Sequence, residues 1–129
     1  MVSGFRPRDA WIFRPYPDEI PWELLHDDAA NAGYPDHARM RIAKLGSEVI
    51  GVYVIEPVNE LCYRVLELAV APGYRSHGLG RWLLGHAIGL AESKGAREIL
   101  VRGQSSRRFF AGVGFVEDRP DLKLVLTPE

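Results

Sequence analysis

Arg75-Ser76-His77-Gly78-Leu79-Gly80-Arg81 brings two glycines and two cations together. An apolar run has just stopped at Pro72, and helical spacing begins at Leu79. The chemistry such a turn offers is anion binding. The first N–H groups of a helix have no partner inside it, and the helix dipole adds about half a positive charge there. Without a β-carbon, a phosphate can lie against the chain. Two nucleotide fingerprints can be tested, and neither fits. The dinucleotide loop needs G-x-G-x-x-G, but the third glycine is Gly85, two places late, with Leu83 at the required position. The P-loop needs G-x-x-x-x-G-K-[ST]. Gly73 and Gly78 have that spacing, but Leu79 and Gly80 replace the lysine and the hydroxyl. What remains is R-x-x-G-x-G, and a plain tight turn does not need this set.

Other reactive side chains carry less. Arg102, Arg107 and Arg108 read as surface solvation unless an anion lies beside them. His26, His37, His77 and His86 show no paired ligand spacing, so no metal is expected. Cys62 is the only cysteine, which excludes an intrachain disulfide. In a strand-like run it reads as a small buried residue rather than a nucleophile.

The elements that must position the loop follow from pattern. Residues 1–9 read as a loose end, and Ala10–Phe13 as a short strand. Asp18 can cap a helix that carries Pro21 early and runs through WELLHDDAANAG to Gly33. Ala38–Leu45 and Glu48–Glu56 alternate apolar and polar residues around Gly46-Ser47, a hairpin signal. Pro57–Glu60 reads as a second turn, and Leu61–Ala71 as the next strand. From Leu79 the apolar positions Leu83, Leu84, Ala87, Ile88, Leu90 and Ala91 cover one half of a helix that stops near Lys94-Gly95. REILVRG is a strand and SSRRFFAGV a short helix closed by Gly114. FVE and LKLVL are last strands around Arg119-Pro120-Asp121. An antiparallel meander followed by strand–helix–strand crossovers predicts one α/β (α+β) domain over 1–129. Its mixed, mostly antiparallel sheet has about six to seven strands and helices on both faces.

Composition sets the outer bounds. A chain of 129 residues with 47% apolar and 26% charged residues can bury a core of its own. Sixteen basic and seventeen acidic residues leave a net charge of -1. That gives no electrostatic reason to expect nucleic acid or a membrane surface as partner. No apolar run approaches the roughly 20 residues of a membrane helix, and the start lacks a signal-peptide core, which points to a cytoplasmic protein.

With its flanks, the glycine loop resembles the pyrophosphate loop of the GNAT acetyltransferase superfamily. The pattern V-x-P-x-Y-R-x-x-G-x-G-x-x-L-L is met at Val70, Pro72, Tyr74, Arg75, Gly78, Gly80, Leu83 and Leu84. A second block, F-Y-x-x-x-G-F, is met at Phe109, Phe110, Gly114 and Phe115, with phenylalanine in place of tyrosine. The element order fits too, and the resemblance covers about residues 10 to 126. It implies an N-acetyltransferase that moves acetyl from acetyl-CoA to a primary amine of a small molecule or protein. The diphosphate would take N–H groups near His77, Gly78, Gly80 and Arg81, with Arg75 and Arg81 flanking it. Leu79 completes this loop. Ser76 stands where glycine is common, which matters little if its φ is negative. The pantetheine arm would pair with the backbone of Leu68, Ala69 and Val70, beside a bulge that splays this strand from Glu98–Val101.

The resemblance also assigns chemistry. Glu67 is the implied base for the acceptor amine, unless it is a structural carboxylate paired with Arg64 or Arg102. A backbone N–H, that of Val70, would stabilise the oxyanion. Gln104 is the nearest match to an asparagine often found before the short helix. Phe110 stands where a tyrosine commonly protonates the leaving thiolate, so water or another hydroxyl must serve: Tyr63, Tyr53 or Ser106. The alternative is a domain that binds acetyl-CoA or another acyl-CoA without efficient turnover. The acceptor pocket would draw on Trp22–Asp28, Tyr34, His37 and the last two strands, with Asp27 and Asp28 attractive to a cation. The short last strands would also suit a homodimer contact.

Overall fold

The computed structural model describes residues 5–25, 39–102 and 106–127. The strands are β1 (Trp11–Phe13), β2 (Met40–Leu45), β3 (Glu48–Asn59), β4 (Cys62–Val70), β5 (Glu98–Arg102), β6 (Val116–Asp118) and β7 (Asp121–Val125). Helix α1 (Leu79–Ser93) joins β4 to β5, and α2 (Arg107–Val113) follows β5. The sheet has seven strands in the order β1-β2-β3-β4-β5-β7-β6. Among the described strands only β4 and β5 are parallel, which is why a helix must carry the chain between them. The mixed, mostly antiparallel sheet is the predicted one.

Local chemistry sets these elements. Gly46, at φ +62°, turns β2 into β3. The expected turn at Pro57–Glu60 is shorter: β3 runs on through Pro57, and Asn59 pairs with Cys62. Ile55 N–H reaches Arg39 O, just before β2 begins, so it points away from β4. Two residues on, the proline nitrogen faces that same side, so its missing N–H takes nothing from the ladder with β4. Both helices end on a left-handed glycine, Gly95 after α1 and Gly114 after α2. In each, paired N–H groups close the last turn: Ala96 to Ala91 O with Gly95 to Glu92 O, and Phe115 to Phe110 O with Gly114 to Ala111 O.

Two clusters of buried side chains occupy the two faces of the sheet. On one, Leu79, Leu83, Leu84, Ala87 and Ala91 of α1 pack on Ile50, Tyr53, Val65 and Ile99, and Phe110 and Phe115 join them. Gly51 lets α1 come this close, since a β-carbon there would lie 2.7 Å from Leu83 Cδ1. The other face holds Ile20, Leu25, Met40, Ile42, Val52 and Val54.

Among the described residues that second face is covered by two 3-10 turns, Pro17–Glu19 and Trp22–Leu24, where one longer helix was expected. Asp18 sits inside the first turn instead of capping it. The cap is Tyr16, whose N–H donates to Glu19 Oε1. Pro15, Pro17 and Pro21 explain the interruption, and Leu25 is already extended at φ -87°, ψ 165°. Residues 26–33 of the expected helix lie outside the described residues.

The expectation of a loose start fails from residue 5 onward. Phe5 is buried, and its ring stands edge-on to Tyr74 and to His77, with centroids 5.2 and 5.7 Å away. A 3-10 turn at Pro7–Asp9 then leads into β1. One apolar side chain, hidden among charges in the sequence, ties this segment to the glycine loop.

Candidate active site

The site begins with a fault in a strand. In the β3–β4 ladder Val54 faces Glu67 but Ile55 faces Val65, so Leu66 is an extra residue. The parallel β4–β5 ladder runs from Cys62 to Val65 and stops there. The bulge and the end of pairing coincide, as expected. Beyond it no described strand pairs with the β5-facing edge of β4. Ala71 N–H donates to Ile50 O of β3, so by alternation the N–H of Val70 and the N–H and C=O of Leu68 face the gap.

A cleft of about 690 Å³ occupies this gap. β4 supplies Val65 to Val70, the loop and α1 supply Arg75 and Gly80, and the α2 region supplies Ser106, Phe109 and Phe110. Leu24 and Leu25 close it from the 3-10 turn. Of the predicted site residues, Glu67, Leu68, Ala69, Val70, Arg75, Gly80 and Phe110 therefore share one cleft. Gln104, and the pocket residues Asp27, Asp28, Tyr34 and His37, lie outside the described residues.

The loop residues have separate placements. Gly78, at φ +84°, precedes α1 and gives it no side-chain cap, so the N–H groups of Leu79, Gly80 and Arg81 open the helix. Gly80 turns its bare Cα toward the cleft: a β-carbon there would be 3.7 Å from the Phe109 ring and 3.8 Å from Val70 Cγ2. Leu79 itself is buried in the core, so only its backbone is available. Ser76 is a correction, for its φ is +68° and not negative. The loop needs a left-handed residue there, which is the physical reason glycine suits the position. His77 Nδ1 lies 2.7 Å from Arg75 O, a bond within the loop.

The two flanking cations differ. Arg75 Nε donates to Val70 O at 3.0 Å, which holds the guanidinium against the open edge of β4. Arg81 Nη2 donates to Gly112 O at 3.0 Å, near the C-terminal end of α2. Arg81 thus ties the first turn of α1 to the last turn of α2, where a cation also suits the helix dipole. The sequence showed it only as a loop cation.

A sequence model described as the acetyltransferase (GNAT) family matches residues 6–115. The chain belongs to the GNAT family. Solved structures agree on the fold. N-acetylglutamate synthase from Neisseria gonorrhoeae, with coenzyme A and N-acetyl-glutamate, is 17% identical with a TM-score of 0.79. That likeness covers 92% of this chain and 35% of the other, so this chain spans about a third of that enzyme. A GNAT family acetyltransferase from Elizabethkingia anophelis with acetyl-CoA bound is 20% identical over 92% of this chain and 99% of its own, TM-score 0.73. An IAA acetyltransferase from Bacillus cereus ATCC 14579 is 25% identical over 91% and 99%, TM-score 0.72. No curated protein matches the sequence. The first two of these structures hold coenzyme A or acetyl-CoA.

Within this GNAT domain the hydroxyls sort by direction. Tyr53 is fully buried on the α1 face, and its OH meets His86 Nδ1 at 2.6 Å. Burial pushes its phenol far above the usual range. Tyr63 packs half-buried against the same core. Neither lines the cleft. Ser106 does, and although it stands at the N-cap of α2 its hydroxyl makes no capping bond. Phe110 is buried between Phe109 and Phe115, both edge-on.

Glu67 lies across from Val54, and directly opposed residues share a face. It therefore points to the second face, with Ala69, and is 6% exposed. Arg64, one of the partners the sequence offered it, pairs with Asp121 at 3.0 Å, and Glu67 is not left without an interaction of its own. Burial also pushes up the Cys62 thiol, in keeping with a packing role. No helix among the described residues is long and apolar enough to cross a membrane.

Proposed function

We propose that this GNAT domain is an N-acetyltransferase that uses acetyl-CoA and acetylates a primary amine held beside Glu67. The observation that carries the reading is the open edge of β4. Its free backbone groups, the Gly80 cradle and Arg75 all meet in one cleft. These features fit the cosubstrate. A diphosphate finds the N–H groups at the start of α1, together with those near His77 and Gly78, and the guanidinium of Arg75. An amide-bearing arm finds the N–H and C=O of Leu68 as a strand edge, with Ala69 between the two free positions. Acetyl-CoA, when bound, supplies an acetyl group activated as a thioester.

The chain's own residues then meet three needs. Glu67 takes the proton that the amine must lose before its lone pair can attack. A backbone N–H of the open edge, aimed into the gap, donates to oxygen as negative charge grows there. At the far wall the Ser106 hydroxyl can donate a hydrogen bond where sulfur departs. Phe110 has no hydroxyl to do so, and water can supply the proton to the leaving thiolate, whose thiol has a pKa of about 8–9. Phe110 is also the one feature that favours binding without turnover.

Acetyl-CoA should raise the melting temperature of the wild type, because it binds only the native state. Gly80→Val should abolish that shift by filling the cleft between Phe109 and Val70, and an unchanged shift would take the loop out of the site. Release of free CoA across an amine panel tests turnover. Glu67→Gln should lower it by about 10²–10⁴-fold with the melting shift intact. Equal turnover would leave Glu67 a structural carboxylate.

A further inference from the structure

From the direction of its side chain we infer that Arg81 is a positioning residue. It sets α2, the far wall of the cleft, against the glycine loop, and so governs turnover rather than cofactor affinity. This rests on the N-acetyltransferase reading above.

α2 carries that wall on little packing of its own. It has seven residues and one buried side chain, Phe110. A helix this short is not stable by itself. Yet Phe109 and Phe110 line the cleft, with Ser106 at the N-cap. At the N-terminal end Arg107 pairs with Glu117, which ties α2 to β6 and not to the loop. At the C-terminal end the closing N–H groups take Phe110 O and Ala111 O. Gly112 O is among the last four carbonyls, which have no partner inside a helix. Arg81 Nη2 donates to it at 3.0 Å.

Two neighbouring residues of α1 thus meet one side of α2. A β-carbon on Gly80 would be 3.7 Å from the Phe109 ring. The next residue, Arg81, reaches Gly112, three places after Phe109 and on the same side of the helix. Two points fix the angle at which α2 leans over the loop. Without the second, the wall is free to turn about Phe110. Charge agrees with this direction. A cation in the first turn of α1 stands at the unfavourable, positive end of that helix's dipole, whereas the C-terminal end of α2 favours it. Of the two cations that flank the loop, Arg75 lines the cleft and Arg81 does not. Sulfur departs beside this wall, so its placement bears on the chemical step, where a 1 Å displacement can cost about 10²-fold.

Arg81→Met gives the test, since it removes the donors and keeps a good helix former. The whole chain is saturated with acetyl-CoA, CoA release is followed with lysine, glutamate, spermidine and 2-phenylethylamine, and kcat is taken with the fastest. Arg81→Met should lower kcat at least about tenfold and leave the acetyl-CoA Kd within about twofold of the wild type. Arg81→Lys, whose ammonium can still donate to Gly112 O, should keep more of kcat. In the free protein, amide hydrogen exchange over Arg107–Val113 should quicken in Arg81→Met. A weakened Kd, with or without a loss of kcat, would make the guanidinium a diphosphate ligand and overturn the assignment. So would an unchanged kcat, exchange that stays as in the wild type, or an Arg81→Lys protein as slow as Arg81→Met. No CoA release by the wild type across the amine panel would count against the N-acetyltransferase reading instead. Exchange over Arg107–Val113 would then still decide whether Arg81 holds the wall.

Discussion

At the scale of single residues, the chemistry turns on which hydroxyl is present and where. Phe110 lines the cleft with a bare ring, and Ser106, four residues earlier and so one helical turn away, lines it with an uncommitted hydroxyl. Phe110→Tyr would add a phenol of ordinary pKa about 10 to that wall. If proton delivery to sulfur limits the rate, turnover should rise in this variant, most visibly below pH 8, and by no more than the roughly 10²–10⁴-fold of one general acid. Ser106→Ala should lower turnover in the wild-type background and matter less beside Phe110→Tyr. Steady-state kcat for the four proteins checks this, and independent effects of the two changes would mean they do not share a task. Ser76 gives a second prediction. Its left-handed backbone costs a residue with a β-carbon roughly 1–2 kcal/mol, partly offset by the extra freedom glycine has when unfolded. Ser76→Gly should therefore stabilise the protein by about 0.5–1 kcal/mol in a denaturant titration. A loss of stability would mean that the serine side chain holds the loop.

At the scale of elements, the loop is held from behind by a segment the sequence made look idle. Phe5 packs edge-on against both Tyr74 and His77, and Tyr74 OH donates to Glu48 Oε1 at 2.7 Å, so the loop is pinned to the N-terminal segment and to β3. Phe5→Ala should cost stability near the low end of the roughly 3–5 kcal/mol for burying a phenylalanine, since the side chain lies at the margin of the core. It should also weaken acetyl-CoA binding by freeing His77 and its neighbours, whereas Phe5→Leu should keep most of both. Calorimetric titration separates the two effects, and an unchanged Kd would reduce Phe5 to packing. The legibility of the fold has the same grain. Strand and helix positions could be read because β2 and β3 alternate with period two and α1 repeats its leucines at helical spacing. The glycine loop could be read because backbone demands leave a mark on residue type. Phe5, the Arg81 bond to Gly112 O, and Pro57 inside a strand could not. Each is set by a partner far along the chain, and no local periodicity records it. The proline-broken stretch at 15–21 defeated the helix expectation because capping and helix-start signals do not say whether a turn continues.

For the whole molecule, the sheet separates two tasks, and the α1 face carries the load. There α1 is joined to the sheet by apolar contacts and by the polar link of Tyr53 OH to His86 Nδ1. Tyr53 is fully buried, so its hydroxyl must donate to a neutral imidazole, with Nδ1 as acceptor. Protonating His86 puts a hydrogen on Nδ1, reverses the bond and leaves the buried phenolic hydrogen without an acceptor, next to the positive charge of Arg41. Burial, and then that charge, accordingly lower the His86 pKa below its ordinary value. A histidine with a depressed folded pKa contributes stability that is fully present above its unfolded pKa of about 6.5. The contribution falls as pH drops from there to the folded value and changes no further below it. Because the imidazole is largely open to water on its other edge, the effect should be modest. Unfolding free energy should therefore decline between about pH 6.5 and the folded pKa in the wild type, ahead of the carboxylate-driven loss at lower pH. Tyr53→Phe removes the donor and should both destabilise the protein at pH 8, by about 1–3 kcal/mol for a broken buried hydrogen bond, and flatten the decline. Denaturant titrations of both proteins from pH 8 to pH 5 decide it: parallel curves would mean that the link between α1 and the sheet does not sense the proton.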